Sequence, residues 1–293
     1  MHHALVECLL TMMPKPGRYK TSLAGVCISR VDAPMDRMPV LYPCGLVCVI
    51  QGVKHGYIGT QRLVYSPQAY LVTATPLPFE SQIVEASSER PFLSLSLDID
   101  AHDIRALTYQ MEAHEVRVAH EEAEHDLAGV VRATPFDRRM QMSVLRLAQS
   151  LICPQEAAIL GEGLKREVLY NVLCGPQADL LIRHSAKDQV SGRLADLIRH
   201  LNDFPQDKLT IEAMADRAAL SPSAFFEHFK RATAMSPIQY QKHVRLHRAH
   251  HLLGNEGCSV GQAAEAVGYH SATQFSREYR RLFGHPPSQL QSV

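Results

Sequence analysis

No uninterrupted apolar run in this 293-residue chain approaches the roughly 18–20 residues that cross a bilayer, so no membrane-spanning helix is expected. The opening residues, MHHALVECLLTMMPKPG, lack a basic stretch ahead of the apolar one and lack a cleavage site, which argues against a secretion signal. Cysteine is sparse: seven residues, odd in number, scattered and without metal-finger spacing, which fits reduced thiols in a cytoplasmic protein better than a disulfide framework. Signatures of catalysis are missing too. There is no Gly-x-Ser-x-Gly elbow, no P-loop and no Gly-x-Gly-x-x-Gly fingerprint. A metal-dependent barrel enzyme would need clustered histidines with a carboxylate, and residues 42–97 hold His55 alone. No enzyme activity, cofactor or metal is therefore expected. Net charge is absent as well, with 30 Lys and Arg against 30 Asp and Glu. The balance is uneven, because residues 192–293 carry 12 basic against 9 acidic groups and half of the 16 histidines. That excess is too small to argue for nucleic acid by bulk charge, so any such case rests on placement.

The length and a 46% hydrophobic content suggest two domains, each with its own core. From Thr21 to Leu97 short apolar or alternating runs such as GLVCVIQGVKHGYIG, AYLVTA and FLSLSLDI alternate with Gly, Pro and Ser, which predicts a small β-barrel or sandwich. Cys44 and Cys48 are read on one strand, too far apart along it for a direct bond, and buried packing is expected of them. Asp100 is a good N-cap for a helix with Ile104, Leu107 and Met111 on its inner face. The acidic stretch His120–Asp126 reads as a solvated loop. Thr134-Pro135 has the form of an N-cap and N1 proline for a helix burying Met140, Val144, Leu147, Leu151 and Ile152. A second helix over Gln155–Cys174 is stopped by Gly175-Pro176. The polar run Ser185–Gly192 is the best boundary. The predicted layout is residues 1–184 (barrel about 21–97, helices about 100–184), a linker at 185–192, and an all-helical unit over 193–293.

That last unit contains an imperfect repeat. Leu209–Tyr240 and Cys258–Leu290 match at Thr210/Ser259, Ile211/Val260 and Ala215/Ala264, and then, after one added residue, at Phe225/Phe275, Phe229/Tyr279, Lys230/Arg280, Arg231/Arg281 and Pro237/Pro287. Each copy reads as helix, tight turn, helix, the layout of a helix-turn-helix DNA reader. In the first copy Thr210 and Ser221 are caps, Pro222 is an N1 proline, and Phe225 and Phe229 face inward. Ser223, Ala224, Glu227 and Phe226 are left outside. In the second, Ser259 is the cap, Ala263 and Ala264 are buried with Val260, and Gly268 sits at the turn, where only glycine adopts positive φ freely. Burying Phe275 and Tyr279 leaves Thr273, Gln274 and Arg277 outside. Arg suits guanine, Gln suits adenine, and Thr offers hydroxyl and methyl. Lys230, Arg231, Arg280 and Arg281 lie one turn further on, in reach of phosphate.

Residues 192–293 resemble the AraC/XylS-type DNA-binding domain, in which two helix-turn-helix units are joined by one long helix. The joining segment matches that family's pattern at Ser236, Pro237, Tyr240, Arg245, Leu246, Ala249, Leu252 and Leu253, and GYHSATQFSREYRRLFGHPP is close to its signature. The resemblance implies DNA contacts that also include Arg245 and Ser271, with both recognition helices entering successive major-groove segments about 34 Å apart. Residues Tyr42–Gly59 and Ala69–Asp100 are similar to the N-terminal domain of AraC-type regulators, which implies a cupin-like barrel for effector sensing or dimerisation. The fold class is thus α+β: a cupin-like β-barrel with flanking helices, followed by an all-α domain. The implied partners are promoter DNA, a second copy of the chain, RNA polymerase and a small-molecule effector of unknown identity. Two residues depart from the family pattern. Glu227 stands where Arg is common and Phe226 where a polar residue is usual, so the second recognition helix is expected to carry most of the reading.

Two further groups of residues, and the function itself, are open to more than one reading. His243, His247, His250 and His251 line one segment, but no Cys or carboxylate converges on them, so they are expected beside DNA or in solvent rather than on zinc. Tyr42, Tyr65, Tyr70 and Phe79 are candidates to line a ligand cavity, with plain core packing as the alternative. The competing function is a sensor whose helix-turn-helix repeat contacts protein instead of DNA.

Overall fold

The computed structural model describes residues 2–58, 61–116, 131–176, 178–186, 190–255 and 257–292. In its first half the order is α1 (His2–Met12), β1 (Gly17–Lys20), β2 (Val26–Val31), β3 (Met35–Tyr42), β4 (Gly45–Gln51), β5 (Val53–Ile58), β6 (Gln61–Tyr65), β7 (Ala69–Thr73), β8 (Leu77–Glu85), β9 (Phe92–Asp98), α2 (Ala101–Ala113), β10 (Val131–Pro135), α3 (Arg138–Ser150), α4 (Pro154–Leu173) and α5 (Ala178–Ser185). The strands form two antiparallel sheets, one ordered β1-β2-β9-β4-β7-β10 and the other β3-β8-β5-β6.

Strand alternation builds three layers. Along β4, Leu46, Cys48 and Ile50 point to a core shared with the helices, whereas Val49 points to a second core between the sheets. That second core also holds Ile58, Tyr65, Leu71, Leu77, Phe79, Ile83 and Phe92. The helical layer contributes Leu5 and Leu9 of α1, Ile104, Leu107 and Met111 of α2, Met140, Val144 and Leu147 of α3, and Leu164, Val168 and Val172 of α4. Each such side chain stabilises the fold by about 1.5–3 kcal/mol through apolar burial. Gly52 is the single residue at the corner where the chain leaves one sheet for the other. Its φ is +83°, and an added Cβ would collide with the Glu85 carbonyl and approach Phe92. Gly52→Ala is expected to cost about 1–3 kcal/mol from backbone strain alone, read as a lowered urea midpoint with an unchanged m-value.

Several sequence expectations change here. Thr134 and Pro135 belong to β10, paired with Tyr70 and Ala69, and Asp137 caps α3 by accepting from the Met140 N–H. Proline is accommodated because β10 is an edge strand, where a missing N–H breaks no ladder bond. Ile152 lies past the Leu151 C-cap and is half exposed. Cys44 sits at a bend before β4 rather than on the strand with Cys48, and all seven cysteines are free thiols. The helix α1 and the edge strand β3 were not anticipated. The acidic segment His120–Asp126 lies wholly outside the described residues. Among the described residues no helix is long and apolar enough to cross a membrane.

The second half is helical: α6 (Val190–Asp203), α7 (Ile211–Arg217), α8 (Pro222–Thr233), α9 (Pro237–Asn255), α10 (Val260–Ala266), α11 (Ala272–Phe283) and a closing 3-10 helix over Pro287–Ser292. Helix α6 begins at Val190, inside the stretch expected as linker. Two small cores form around α9. Tyr240 and Val244 join Leu197, Ile198, Met214, Phe225 and Phe229 in one, and Leu246, Ala249, Leu252 and Leu253 join Ala263, Ala264, Phe275 and Tyr279 in the other. The four-stranded sheet meets this assembly at α9. Leu41 of β3 packs on the first helical core, the Tyr240 hydroxyl donates to the Pro76 carbonyl (2.8 Å), and Asn202 donates to the same hydroxyl (2.7 Å).

Candidate nucleic-acid interface

Local chemistry fixes both helix-turn-helix units. The Thr210, Ser221, Ser259 and Ser271 hydroxyls accept from the backbone N–H groups of Ala213, Ala224, Gln262 and Gln274, so each short helix starts on a satisfied cap. Ser259 and Gln262 form a reciprocal capping box. The turns then need left-handed backbone, at Ala219 (φ 52°) in the first copy and Gly268 (φ 79°) in the second. Glycine adopts this freely, and alanine does so at a cost. The buried pairs Phe225/Phe229 and Phe275/Tyr279 stand edge-on or tilted with ring centroids 5.4 and 5.6 Å apart. They pin the inner face of each recognition helix and so decide which side chains face out.

On α8 the outward set is Ser223, Phe226, Glu227, Lys230 and Arg231, with Ala224 half-buried. Phe226 is 42% exposed. Arg231 shares a hydrogen bond with His228 Nδ1 at 2.9 Å. On α11 the outward set is Thr273, Gln274, Arg277, Arg280 and Arg281. The Ser271 hydroxyl is already engaged as the cap of α11. Arg245 is turned inward: its Nε donates to the Pro205 carbonyl (2.7 Å) and its Nη2 to the Asp207 carbonyl (3.0 Å), so it fastens α9 to the loop before α7.

A network that sequence spacing did not suggest lies behind α11. The Glu278 carboxylate accepts from Tyr269 (2.7 Å) and Gln274 (3.2 Å) and pairs with Lys242 of α9 (3.2 Å). Burial pushes this carboxyl up, but the hydrogen bonds from Tyr269, Gln274 and Lys242 and the lysine charge outweigh it, leaving the group below the usual carboxylate range.

The histidines of α9 also lie elsewhere than expected. His247 and His250 turn toward α11 and the closing segment rather than into solvent, and His243 is half-buried beside His247 with Glu80 of β8 close enough to act on its charge. His247 meets the Phe283 ring edge-on at 5.3 Å, and His250 stacks on Phe283 at 4.5 Å and contacts the Tyr279 hydroxyl through Nδ1 at 2.6 Å. Burial, reinforced by neighbouring histidines, lowers His247 to about 3 and His250 to about 4. Both are neutral at physiological pH. The reason is tertiary: the rings that cover them come from about 30 residues downstream.

Of the four aromatics considered for a ligand cavity, three converge between the sheets. Tyr42 and Tyr65 hydroxyls lie 3.0 Å apart, Phe79 meets Tyr42 edge-on at 4.8 Å, and the Lys54 ammonium sits 5.2 Å from the Tyr42 ring centroid. Tyr70 points the other way, into the helical layer, where it meets Phe136 at 5.9 Å.

Comparison with known proteins follows the same division. Residues 22–180 match the family described as AraC-type transcriptional regulator N-terminus, and residues 214–292 match the family described as Helix-turn-helix domain. The chain is 30% identical over 161 residues to the HTH-type transcriptional activator RhaS of Escherichia fergusonii, covering 53% of this chain and 57% of that one. It is 29% identical over 164 residues to RhaS of Escherichia coli O1:K1 / APEC, again covering 57% of the relative. The chain thus spans little more than half the length of these relatives. Among solved structures, ToxT from Vibrio cholerae superimposes with a TM-score of 0.64 at 10% identity, over 91% of this chain and 97% of that one. The unsaturated fatty acid bound form of wild-type ToxT gives 0.61 at 9% identity, over 91% and 93%. At such identities these structures bear on the fold alone.

Proposed function

This chain belongs to the AraC-type transcriptional regulators, and from that premise we propose that it binds promoter DNA through two helix-turn-helix units under control of its β-domain. Residues 193–293 do the reading and residues 1–184 respond to a small molecule, to dimerisation, or to both. The observation that carries the DNA reading is the outer face of α11. Thr273, Gln274 and Arg277 stand exposed there in one row, with Arg280 and Arg281 a turn further on, while Phe275 and Tyr279 are locked inside. Base-edge readers flanked by cations are what major-groove entry requires.

Gel shifts of the full chain on duplexes selected from a randomised pool test this reading. Affinity is expected to fall about 10³-fold or more between 50 and 200 mM salt if six or more phosphates are neutralised. A salt-insensitive complex, or no selected sequence at all, would favour a protein-contacting role for the repeat.

Control by the β-domain rests on the contact of the four-stranded sheet with α9. A ligand can act only by binding two arrangements of the chain unequally, and the Tyr240–Pro76 hydrogen bond lies where two such arrangements would differ. Tyr240→Phe removes that bond and the one from Asn202. It is expected to cost about 1–2 kcal/mol of stability and to change DNA affinity several-fold with the helical content intact. Unchanged affinity would count against coupling by this route. Dimerisation would use α3 and α4, whose outer faces show Met142, Ile159 and Leu160. Sedimentation of the full chain against a Leu160→Glu variant checks it, with a shift to monomer expected.

A further inference from the structure

An acidic residue on a DNA-reading helix is an apparent liability, since it faces a polyanion. Glu278 avoids that role by turning back. Its side chain is only 14% exposed, it lies on the inner flank of α11, and it gathers three donors from three places: Tyr269 in the turn, Lys242 on α9, and Gln274 one turn earlier on α11. The last contact matters most. A carboxylate only accepts hydrogen bonds, so the end of the Gln274 carboxamide that faces Glu278 must be the NH₂ and not the oxygen. Both Nε2 of Gln274 and Nζ of Lys242 engage the same oxygen, Oε1, while Tyr269 holds Oε2. The carboxylate is therefore fixed at both oxygens before it fixes anything else.

With one N–H spent on Glu278, Gln274 keeps one N–H and its carbonyl oxygen free. That pair matches the edge of adenine in the major groove, where N7 accepts and the N6 amino group donates. A freely rotating carboxamide could turn over and offer donor and acceptor reversed. We infer that Glu278 is the positioning residue of the second reader: anchored by Lys242 and Tyr269, it holds the Gln274 carboxamide in the one orientation that selects adenine. The inference rests on the DNA-reading function proposed above and adds the residue that sets its base preference. It also assigns Lys242 a job on the protein side of the interface, neutralising Glu278 rather than a phosphate.

The test uses the full chain and a pool of duplexes with a randomised core, from which wild type, Gln274→Ala, Arg277→Ala and Glu278→Leu each select sequences. Gln274→Ala identifies the position that Gln274 reads, and wild type should prefer adenine there by roughly tenfold or more. Glu278→Leu is expected to reduce that preference to about twofold while leaving the positions lost in Arg277→Ala intact. Substituting 7-deazaadenine at the Gln274 position should weaken wild type and have little effect on Glu278→Leu. If Glu278→Leu does not fold, the isosteric Glu278→Gln replaces it, because an amide at 278 can hold Gln274 either way round and should relax the same position alone. Equal flattening of all positions read by α11 would mean that Glu278 merely supports the helix, and an unaltered adenine preference would mean that it does nothing; either overturns the inference. A wild-type protein that enriches no sequence would remove the DNA-reading premise itself, a result distinguishable from both.

Discussion

Arg277→Ala is expected to lower affinity for the selected duplex by about ten- to a hundredfold, the loss of one bidentate guanine contact worth roughly 1–3 kcal/mol. Binding to unrelated DNA should fall much less, because the Lys and Arg residues at the ends of α8 and α11 remain. The expectation follows from the packing of α11. Phe275 and Tyr279 fill the core around α9, so the helix cannot roll to offer another face, and Arg277 stands exposed beside Gln274. The matching experiment on α8 should look different. Glu227 is exposed on the outer face of α8, where a carboxylate would repel a phosphate backbone, and Glu227→Ala is expected to leave affinity unchanged or raise it several-fold. Gel shifts with both variants on one duplex decide the matter. If Glu227→Ala proved the more damaging, the first copy and not the second would be the main reader.

The second large effect concerns acid. His247 is lowered to about 3 and His250 to about 4, against about 6.5 in an unfolded chain. A histidine with a depressed folded pKa favours unfolding when protonated, so its stability contribution is complete above about pH 6.5. It is lost as pH falls from there toward 4 for His250 and 3 for His247. Within that window His247 alone removes up to about 1.4 kcal/mol per pH unit, and His250, which is more open to solvent, adds less. The surrounding charges do not rescue them. Lys242 acts on His243, and His243, His251 and His285 press on His247 or His250 in the same unfavourable sense, while Glu80 favours charge only on His243. Thermal unfolding followed at pH 7.5, 6 and 5 should show the C-terminal helices weakening steeply, with the slope reduced in His247→Leu. An identical slope in that variant would place the acid sensitivity elsewhere.

What was legible in the sequence was whatever depended on neighbours close along the chain. The caps at Thr210, Ser221 and Ser259 and the inward pairs Phe225/Phe229 and Phe275/Tyr279 are set by spacings of two to four residues, and the structure holds all of them as read. The same logic failed where a local signal was overruled from a distance. Thr134-Pro135 looks like a helix start, but β7 takes it as a strand. The strand β3 was hidden by Pro39 and by the charges at Asp36 and Arg37, which an edge position tolerates and an interior strand would not. The inward turn of His247 depends on Phe283, and the Glu278 network on Lys242 36 residues earlier. No pattern of periodicity connects residues so separated.

Helix α9 contributes residues to both small cores and runs unbroken over 19 residues, about 28 Å at 1.5 Å per residue. A continuous helix clamped at both ends works as a ruler. It cannot stretch, so in the proposed complex with DNA a mismatch between its span and the turn of the duplex would fall on the duplex. Bending a site of 20–30 base pairs costs on the order of 1–6 kcal/mol, depending on the stiffness of the steps that bend. On the proposed DNA-reading function, the base pairs between the two readers, which no side chain need touch, would become part of the recognised sequence, with pliant pyrimidine–purine steps there favouring binding and a rigid A-tract opposing it.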